Sequence, residues 1–134
     1  MHWTNHLLSN LIVKLNTGLK QRLRFIKVDI NDATLEFLEL LYKHGAIRHY
    51  RILKDLDKID VFLKYHQSRP IIKFSVISTP GNREYWKLKK LSRNYNKNNF
   101  SGFYVVSTQK GLYTSDYCLL IGNLGGEVLL KVEV

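Results

Sequence analysis

The chain has 134 residues, of which 45% are hydrophobic, so it can bury a core and is too apolar to be disordered. Twenty-one lysines and arginines face eleven aspartates and glutamates, and the net charge of +10 favours a polyanionic partner. The single cysteine excludes an internal disulfide, and no apolar run approaches the roughly 20 residues that cross a bilayer.

In the first half of the chain, helices and strands are predicted to alternate. Residues 4–17 are predicted to form a helix that ends at Gly18, and residues 22–30 a strand. Residues 32–44 give the clearest helix, with Asp32 as its cap. The expected core stripes are Leu8, Leu11, Ile12 and Leu15 in the first helix, and Leu35, Leu38, Leu41 and Tyr42 in the second.

Three strands are predicted next, over residues 47–53, 59–65 and 72–76, with a turn at 67–70 between the last two. This order predicts two helices on one face of a small sheet.

The strongest turn signal of the chain, Ser-Thr-Pro-Gly-Asn at residues 78–82, marks a predicted boundary between a subdomain 1–77 and a subdomain 78–134. Residues 91–101 are polar and rich in asparagine, which predicts an exposed loop. Further predictions are strands at 103–106 and 128–134 and a short helix at 114–121, with Val128, Leu130, Val132 and Val134 on one face of the last strand.

The basic residues are clustered. Residues 1–28 hold five lysines and arginines and no acidic residue, and residues 83–97 hold six against Glu84 alone. Such clustering favours a nucleic-acid partner over scattered solvated lysines. We expect Arg83, Lys87 and Lys89 to contact phosphates.

Two polar segments could contact RNA. The turn at Pro80-Gly81 would place Arg83 beside backbone amides, and Tyr85 could lie flat on a ribose or a base. An ordinary hairpin turn with a solvated arginine is the alternative, and it is favoured when this segment is taken alone.

Ser107, Thr108 and Gln109 carry groups that both donate and accept, which suits the 2′-hydroxyls and base edges of RNA. Lys110 would add a phosphate contact. Glu127, which follows two glycines, would either accept hydrogen bonds from base amino groups or support Lys110 or the hydroxyls. The alternative is a strand end with ordinary polar turn residues.

Signals for catalysis or metal binding are weak. Asp55, Asp57 and Asp60 lack the spacing of a calcium loop, and His2 and His6 lack a third ligand. Cys118 lies among apolar residues, which indicates a small buried side chain rather than a nucleophile. We predict neither a metal nor a cofactor.

Three segments together resemble the bacterial-type small-subunit ribosomal protein eight family. They are Ser78 to Tyr85, Val106 to Thr114 and Gly125 to Leu129, and their order and spacing both fit. The resemblance is specific across residues 78–129 and weaker but compatible across 1–55.

The resemblance implies an α+β fold, with an N-terminal α/β subdomain of two helices on a small sheet packed on a mainly β C-terminal subdomain. It implies a structural protein without enzymatic activity that binds the central domain of small-subunit rRNA and supports assembly and translation. The expected partners are that rRNA and neighbouring ribosomal proteins, with no membrane and no small-molecule substrate.

Carried over to this chain, the family's hydroxyl-rich loop would place Ser107 and Thr108 on the RNA. The other expected RNA-binding residues are Gln109, Lys110, Tyr85, Arg83, Pro80, Gly81, Glu127 and Lys87.

The chain departs from the family pattern at two places. Gln109 stands where the family has a third hydroxyl, and residues 117–121 are apolar where the family has a short basic segment. We therefore expect a protein partner or the domain itself to cover residues 117–121. The drift towards Asn, Lys, Tyr and Leu is typical of an organelle-encoded protein. It favours a mitochondrial location, with a bacterial or plastid ribosome as the alternative.

Two further functions remain open from the sequence. The first is a free-standing RNA-binding regulator of translation. The second is a small enzyme acting on RNA, for which no convincing acid–base pair is present.

Overall fold

The computed structural model describes residues 5–79, 81–95, 101–122 and 125–134. The chain divides into two compact units, residues 1–73 and 74–134, so the division falls shortly before the predicted one. The first unit combines helices with a small sheet and the second is mainly β, and the predicted α+β class is confirmed.

The first unit builds its sheet from three strands, and the central one pairs antiparallel with both others. Its elements in chain order are α1 (Asn5–Lys20), β1 (Phe25–Asp29), α2 (Asp32–Lys43), β2 (His49–Leu53), a 3-10 turn (Lys54–Leu56), β3 (Lys58–Phe62), and the short hairpin of β4 (Tyr65–His66) and β5 (Arg69–Pro70). The sheet order is β1-β3-β2. The predicted stripe of α1 is confirmed, because Leu8, Leu11, Ile12 and Leu15 are all buried.

Gly18 has a packing role, and the prediction that it ends the first helix is wrong. Helix α1 continues to Lys20. A Cβ atom at Gly18 would come within 2.7 Å of Ile26 Cγ2 and 2.9 Å of Leu63 Cδ1. The glycine therefore lets the helix approach β1 and the segment after β3 closely, and this close approach outweighs the poor helix propensity of glycine.

Helix α2 begins one residue earlier than its predicted cap implies. The N-cap is Asn31, whose side chain accepts a hydrogen bond from the Thr34 amide at 2.8 Å, while Asp32 lies in the first turn. The buried positions are Thr34, Phe37, Leu38 and Leu41. Tyr42 is 48% exposed, so the true stripe is shifted around the helix towards Phe37.

The second unit builds a larger antiparallel sheet with helices over one face. Its elements are β6 (Lys73–Val76), β7 (Tyr85–Trp86), α3 (Leu88–Tyr95), β8 (Gly102–Thr108), β9 (Gly111–Thr114), α4 (Ser115–Ile121) and β10 (Gly126–Glu133). The strand order is β6-β10-β8-β9, and β7 also pairs with β10. The strand predicted at residues 72–76 therefore pairs in this second sheet and not in the first, since its partner is the last strand of the chain.

The prediction of a loop from residue 91 is wrong for residues 91–95, which lie in α3. Leu91 is fully buried in a core cluster with Trp86, Val106, Cys118 and Val128, and this contact fixes the helix despite its polar composition. Residues 96–100 lie outside the described part of the chain. The helix predicted at 114–121 is confirmed as α4, with Thr114 as its N-cap.

A β-bulge changes the face assignment in β10. Val128 pairs with Val106, but Leu130 pairs with Val105, so Leu129 is the extra residue. Because Val105 and Val106 point to opposite faces, Val128 and Leu130 do too. The predicted single face of Val128, Leu130, Val132 and Val134 is therefore wrong.

Candidate nucleic-acid interface

Three of the predicted site residues form one row across the second sheet. Tyr85 of β7 and Ser107 of β8 pair directly with Glu127 of β10, one on each side. Directly paired residues of antiparallel strands share a face, so the three side chains project together. Tyr85 is 68% exposed, Ser107 is half-buried, and Glu127 lies between them.

The two glycines before Glu127 let β10 pass close to both of its neighbours. A Cβ atom at Gly126 would lie 2.2 Å from the carbonyl oxygen of Ser107, and one at Gly125 would lie 2.8 Å from that of Trp86. Backbone atoms cannot yield to such contacts, and both positions therefore require glycine.

A tight hairpin follows Ser107 and presents two exposed polar residues. The Thr108 hydroxyl donates to the Gly111 carbonyl at 2.8 Å and accepts from the Lys110 amide at 3.2 Å. Gln109 and Lys110 lie at the exposed tip. The Thr108 hydroxyl thus holds the turn in shape, whereas the Ser107 hydroxyl has no hydrogen-bond partner within the described part of the chain.

Glu127 is anchored by residues far away in the sequence. Its Oε2 atom accepts a hydrogen bond from the Ser78 hydroxyl at 2.6 Å and from Arg83 Nη1 at 3.1 Å. Ser78 is buried, and its hydroxyl oxygen also accepts a hydrogen bond from the Glu84 amide at 3.2 Å. The carboxylate therefore supports the segment around Ser78 and Arg83 and not Lys110. Because Arg83 forms an ion pair with Glu127, its positive charge is partly neutralised within the protein.

Ser78 is the residue that sequence reasoning missed as part of the site. Its importance follows from a contact across 49 residues of sequence, which no local pattern encodes. Of the remaining predicted positions, Gly81 and Lys87 are exposed, and Pro80 lies outside the described residues. We name the row and its hairpin, Tyr85, Glu127, Ser107 and residues 108–111, the strand-end surface.

Exposed cations follow Tyr85 closely in the sequence. Lys87 comes just after β7, and the exposed residues of α3 include Lys89, Lys90 and Arg93. Lys90 Nζ lies 5.2 Å from the centre of the Trp86 ring. One end of the second unit therefore combines short polar groups with positive charge, which suits a phosphate-bearing ligand.

Helix α4 has a buried side and an exposed apolar side. Cys118 is fully buried, and burial raises the pKa of its thiol, so its expected role as a small buried residue is confirmed. Leu119 packs against the core cluster, but Leu120 is 84% exposed, with Tyr117 and Ile121 partly exposed beside it. The segment is thus half-covered by its own unit.

The acidic residues considered for calcium do not form a metal site. Asp60 lies between Lys27 and Arg51 on the first sheet, and its carboxylate accepts a hydrogen bond from each of them. No group of metal-binding side chains occurs among the described residues, whereas His2 and the His6 side chain fall outside that description. In the described part of the chain, no helix has the length and apolarity to cross a membrane.

The comparisons with known proteins match the resemblance drawn from the three segments. The family described as Ribosomal protein S8 matches residues 6–132. The chain belongs to this family. The S8 family is one of ribosomal proteins of the small subunit and not of enzymes.

Individual S8 relatives cover four-fifths of the chain or more. Small ribosomal subunit protein uS8m, a mitochondrial protein of Acanthamoeba castellanii, is 39% identical over 95% of this chain and 98% of the relative. Small ribosomal subunit protein uS8 of Rhodospirillum centenum is 33% identical over 93% of this chain and 95% of the relative. The protein of the same name in Wolbachia pipientis is 36% identical over 81% of this chain and 82% of the relative.

Proposed function

We propose that this S8 protein is a structural component of the mitochondrial small ribosomal subunit that binds the central domain of small-subunit rRNA through its strand-end surface. The observation that carries the proposal is the row of Tyr85, Glu127 and Ser107 beside a hairpin with an exposed lysine. The identity to uS8m of Acanthamoeba castellanii supports the mitochondrial location.

The chemistry of this surface fits an irregular RNA stem. RNA helices expose 2′-hydroxyls and base edges in a wide, shallow minor groove, which short polar side chains can reach. The Ser107 hydroxyl offers one donor and lone pairs for such contacts. Because the strand and its hydrogen-bonded turn already hold it in place, little side-chain entropy is lost on docking.

Ser107→Ala is the direct test of the surface. We expect it to weaken binding to the rRNA stem by about 1–3 kcal/mol, because an RNA group is left without its partner. Binding to a generic RNA duplex should be nearly unchanged. Ser101→Ala removes an exposed hydroxyl outside the strand-end surface and serves as the matched control. Equal loss for both RNAs, or equal effects of both variants, would contradict the assignment.

Thr108→Val tests a different contact in the same hairpin. Its hydroxyl already bonds Gly111 and Lys110, so this change should loosen the turn as well as any RNA contact. A melting curve separates the two effects, because only loosening of the turn lowers the stability of the free protein.

Co-sedimentation distinguishes the ribosomal protein from a free-standing regulator of translation. A structural component stays with the mitochondrial small subunit through a high-salt wash. Release of the protein under that wash, with the subunit intact, would favour the regulator.

A further inference from the structure

A row of three rings crosses the open face of the first sheet. Phe62 of β3 pairs directly with Phe25 of β1 and with His49 of β2. The Phe25 and Phe62 ring centres lie 5.4 Å apart, and the His49 ring stacks on Phe62 at 4.1 Å. The row lies on the face opposite buried Ile26 and Val28, because side chains alternate along a strand.

A charged row runs beside the rings. Asp60 pairs directly with Lys27 and Arg51, and each cation contacts a different oxygen of its carboxylate at 2.9 Å. Asp60 is only 1% exposed, whereas the side chains of Lys27 and Arg51 are more than half exposed. The carboxylate thus anchors two cations on an accessible face and leaves the row with a net positive charge.

The cations lie within reach of the rings. Lys27 Nζ is 5.7 Å from the centre of Phe25, and Arg51 Cζ is 5.8 Å from that of Phe62. Arg24 Cζ adds a third cation at 6.0 Å from Phe62. Phe25 remains 40% exposed and His49 is also exposed, so the outer members of the row are accessible to a ligand.

We propose that this face, with Phe25 and His49 on either side of the buried Phe62 and with Lys27 and Arg51 beside them, is a second RNA-binding surface that takes unpaired nucleotides. We call it the aromatic platform. Aromatic side chains stack on bases of any sequence, and neighbouring cations neutralise the phosphates. Bases inside a regular duplex keep their faces stacked and cannot reach such rings.

The charge of the face favours RNA over a protein segment. A protein partner would need acidic side chains to match the positive charge that Lys27, Arg51 and Arg24 keep after pairing with Asp60, whereas every RNA nucleotide brings a phosphate. The proposal takes its ligand class from the proposed rRNA-binding function. It uses none of the residues of the strand-end surface, so an experiment can contradict one of the two proposals without contradicting the other.

The test measures binding of the full chain to a fluorescent ten-nucleotide oligouridylate, whose bases stack weakly on one another, and to an RNA duplex of equal length. Phe25→Leu combined with His49→Ala removes two rings and keeps an apolar side chain beside Phe62. We expect roughly tenfold weaker binding of the single strand and less than twofold change for the duplex. Tyr42→Leu, at a ring of similar exposure on α2, is the matched control and should change neither.

Equal affinity of wild type and double variant for the single strand, with an intact melting curve, would overturn the proposal. An equal loss for duplex and single strand would also overturn it, because stacking would then contribute nothing. Ser107→Ala reports on the strand-end surface in parallel, since it should leave oligouridylate binding unchanged.

Two measurements guard against a misfolded variant. Phe25→Trp enlarges the stacking ring, and we expect it to tighten oligouridylate binding a few-fold. Photo-cross-linking of 4-thiouridine RNA to the wild-type chain should mark Phe25 or His49. Unchanged affinity of Phe25→Trp, or cross-links confined to other residues, would contradict the platform.

Discussion

The two units of this S8 protein each carry one of the proposed RNA-binding surfaces, and the two surfaces are built from different kinds of side chain. In the strand-end surface, hydrogen bonds fix Glu127 and Thr108, such as that of Ser78 to Glu127 at 2.6 Å, and they hold the frame beside the Ser107 hydroxyl. The aromatic platform is made of rings and long cations that pack against each other around Asp60.

The difference suggests how each surface discriminates. Short, fixed donors and acceptors lose affinity sharply when the opposing group is misplaced, and they suit a defined RNA shape. Stacking and charge tolerate many sequences. We therefore expect the strand-end surface to select one RNA shape and the aromatic platform to accept many sequences.

Gly126, which directly precedes Glu127 of the strand-end surface, gives the largest expected effect. Gly126→Ala should destabilise the fold by about 3 kcal/mol, because the new Cβ would meet the Ser107 carbonyl at 2.2 Å. Gly18→Ala in the first unit should cost about 1 kcal/mol or less. There the methyl meets side-chain methyl groups of Ile26 and Leu63 rather than a carbonyl oxygen, and alanine favours the helix.

Urea denaturation gives the free energy of unfolding of both variants, and so compares a new methyl group against a backbone carbonyl with one against side-chain atoms. Gly81→Ala is the control, because nothing lies within 4 Å of its added Cβ. If Gly18→Ala proved the more costly change, the contrast would be reversed.

Adjacent leucines of α4 should respond differently to a charge. Leu119→Asp should cost roughly 2 kcal/mol of stability, because Leu119 packs against the core cluster. Leu120→Asp should change stability by less than about 0.5 kcal/mol, since Leu120 is 84% exposed.

We also expect Leu120→Asp to reduce incorporation into small subunits more than binding to the isolated rRNA stem. A neighbouring protein that covers this exposed side would explain such a difference. Equal loss in both assays would instead place the α4 surface on the RNA.

Acid should weaken the platform's ion pairs but not the hydrogen bonds between neutral groups in the hairpin. The hydrogen bond from Lys27, followed by that from Arg51, lowers the pKa of Asp60. A lowered pKa means that the ionised carboxylate stabilises the fold above pH about 4, and that this stability is lost as pH falls through the lowered value.

Asp60→Asn should therefore melt a few degrees below wild type at pH 7. This difference in melting temperature should disappear in strong acid, where Asp60 of the wild type is protonated. Thermal melts between pH 7 and pH 2 measure it. A gap of constant size across that range would argue against ionisation as its cause.

Charge beside the strand-end surface should give the smallest effect. Lys87→Ala with Lys89→Ala should reduce the salt slope of RNA binding by about two at most, one unit for each lost phosphate contact. Arg83→Ala should add less than one further unit, because Arg83 already pairs with Glu127. An unchanged slope in the double variant would remove these lysines from the interface.

Much of the local structure follows from the sequence alone. The stripe of α1, the strand with Ile26 and Val28, and the Thr114-capped helix α4 depend on spacing and on neighbouring residues. The three segments within residues 78–129 were likewise enough to indicate the S8 family. These features are encoded within short windows of sequence, where periodicity and capping chemistry act.

Only the tertiary structure decided the features that depend on distant residues. Gly18 serves close packing because of Ile26 and Leu63, and the bulge at Leu129 depends on the partner strand β8. Ser78 reaches Glu127 only after the sheet forms.

The aromatic platform has the same origin. Phe25, His49 and Phe62 occupy three different strands, and no local pattern places them in one row. Strand register brings such residues together, and register is set by which faces the whole fold buries.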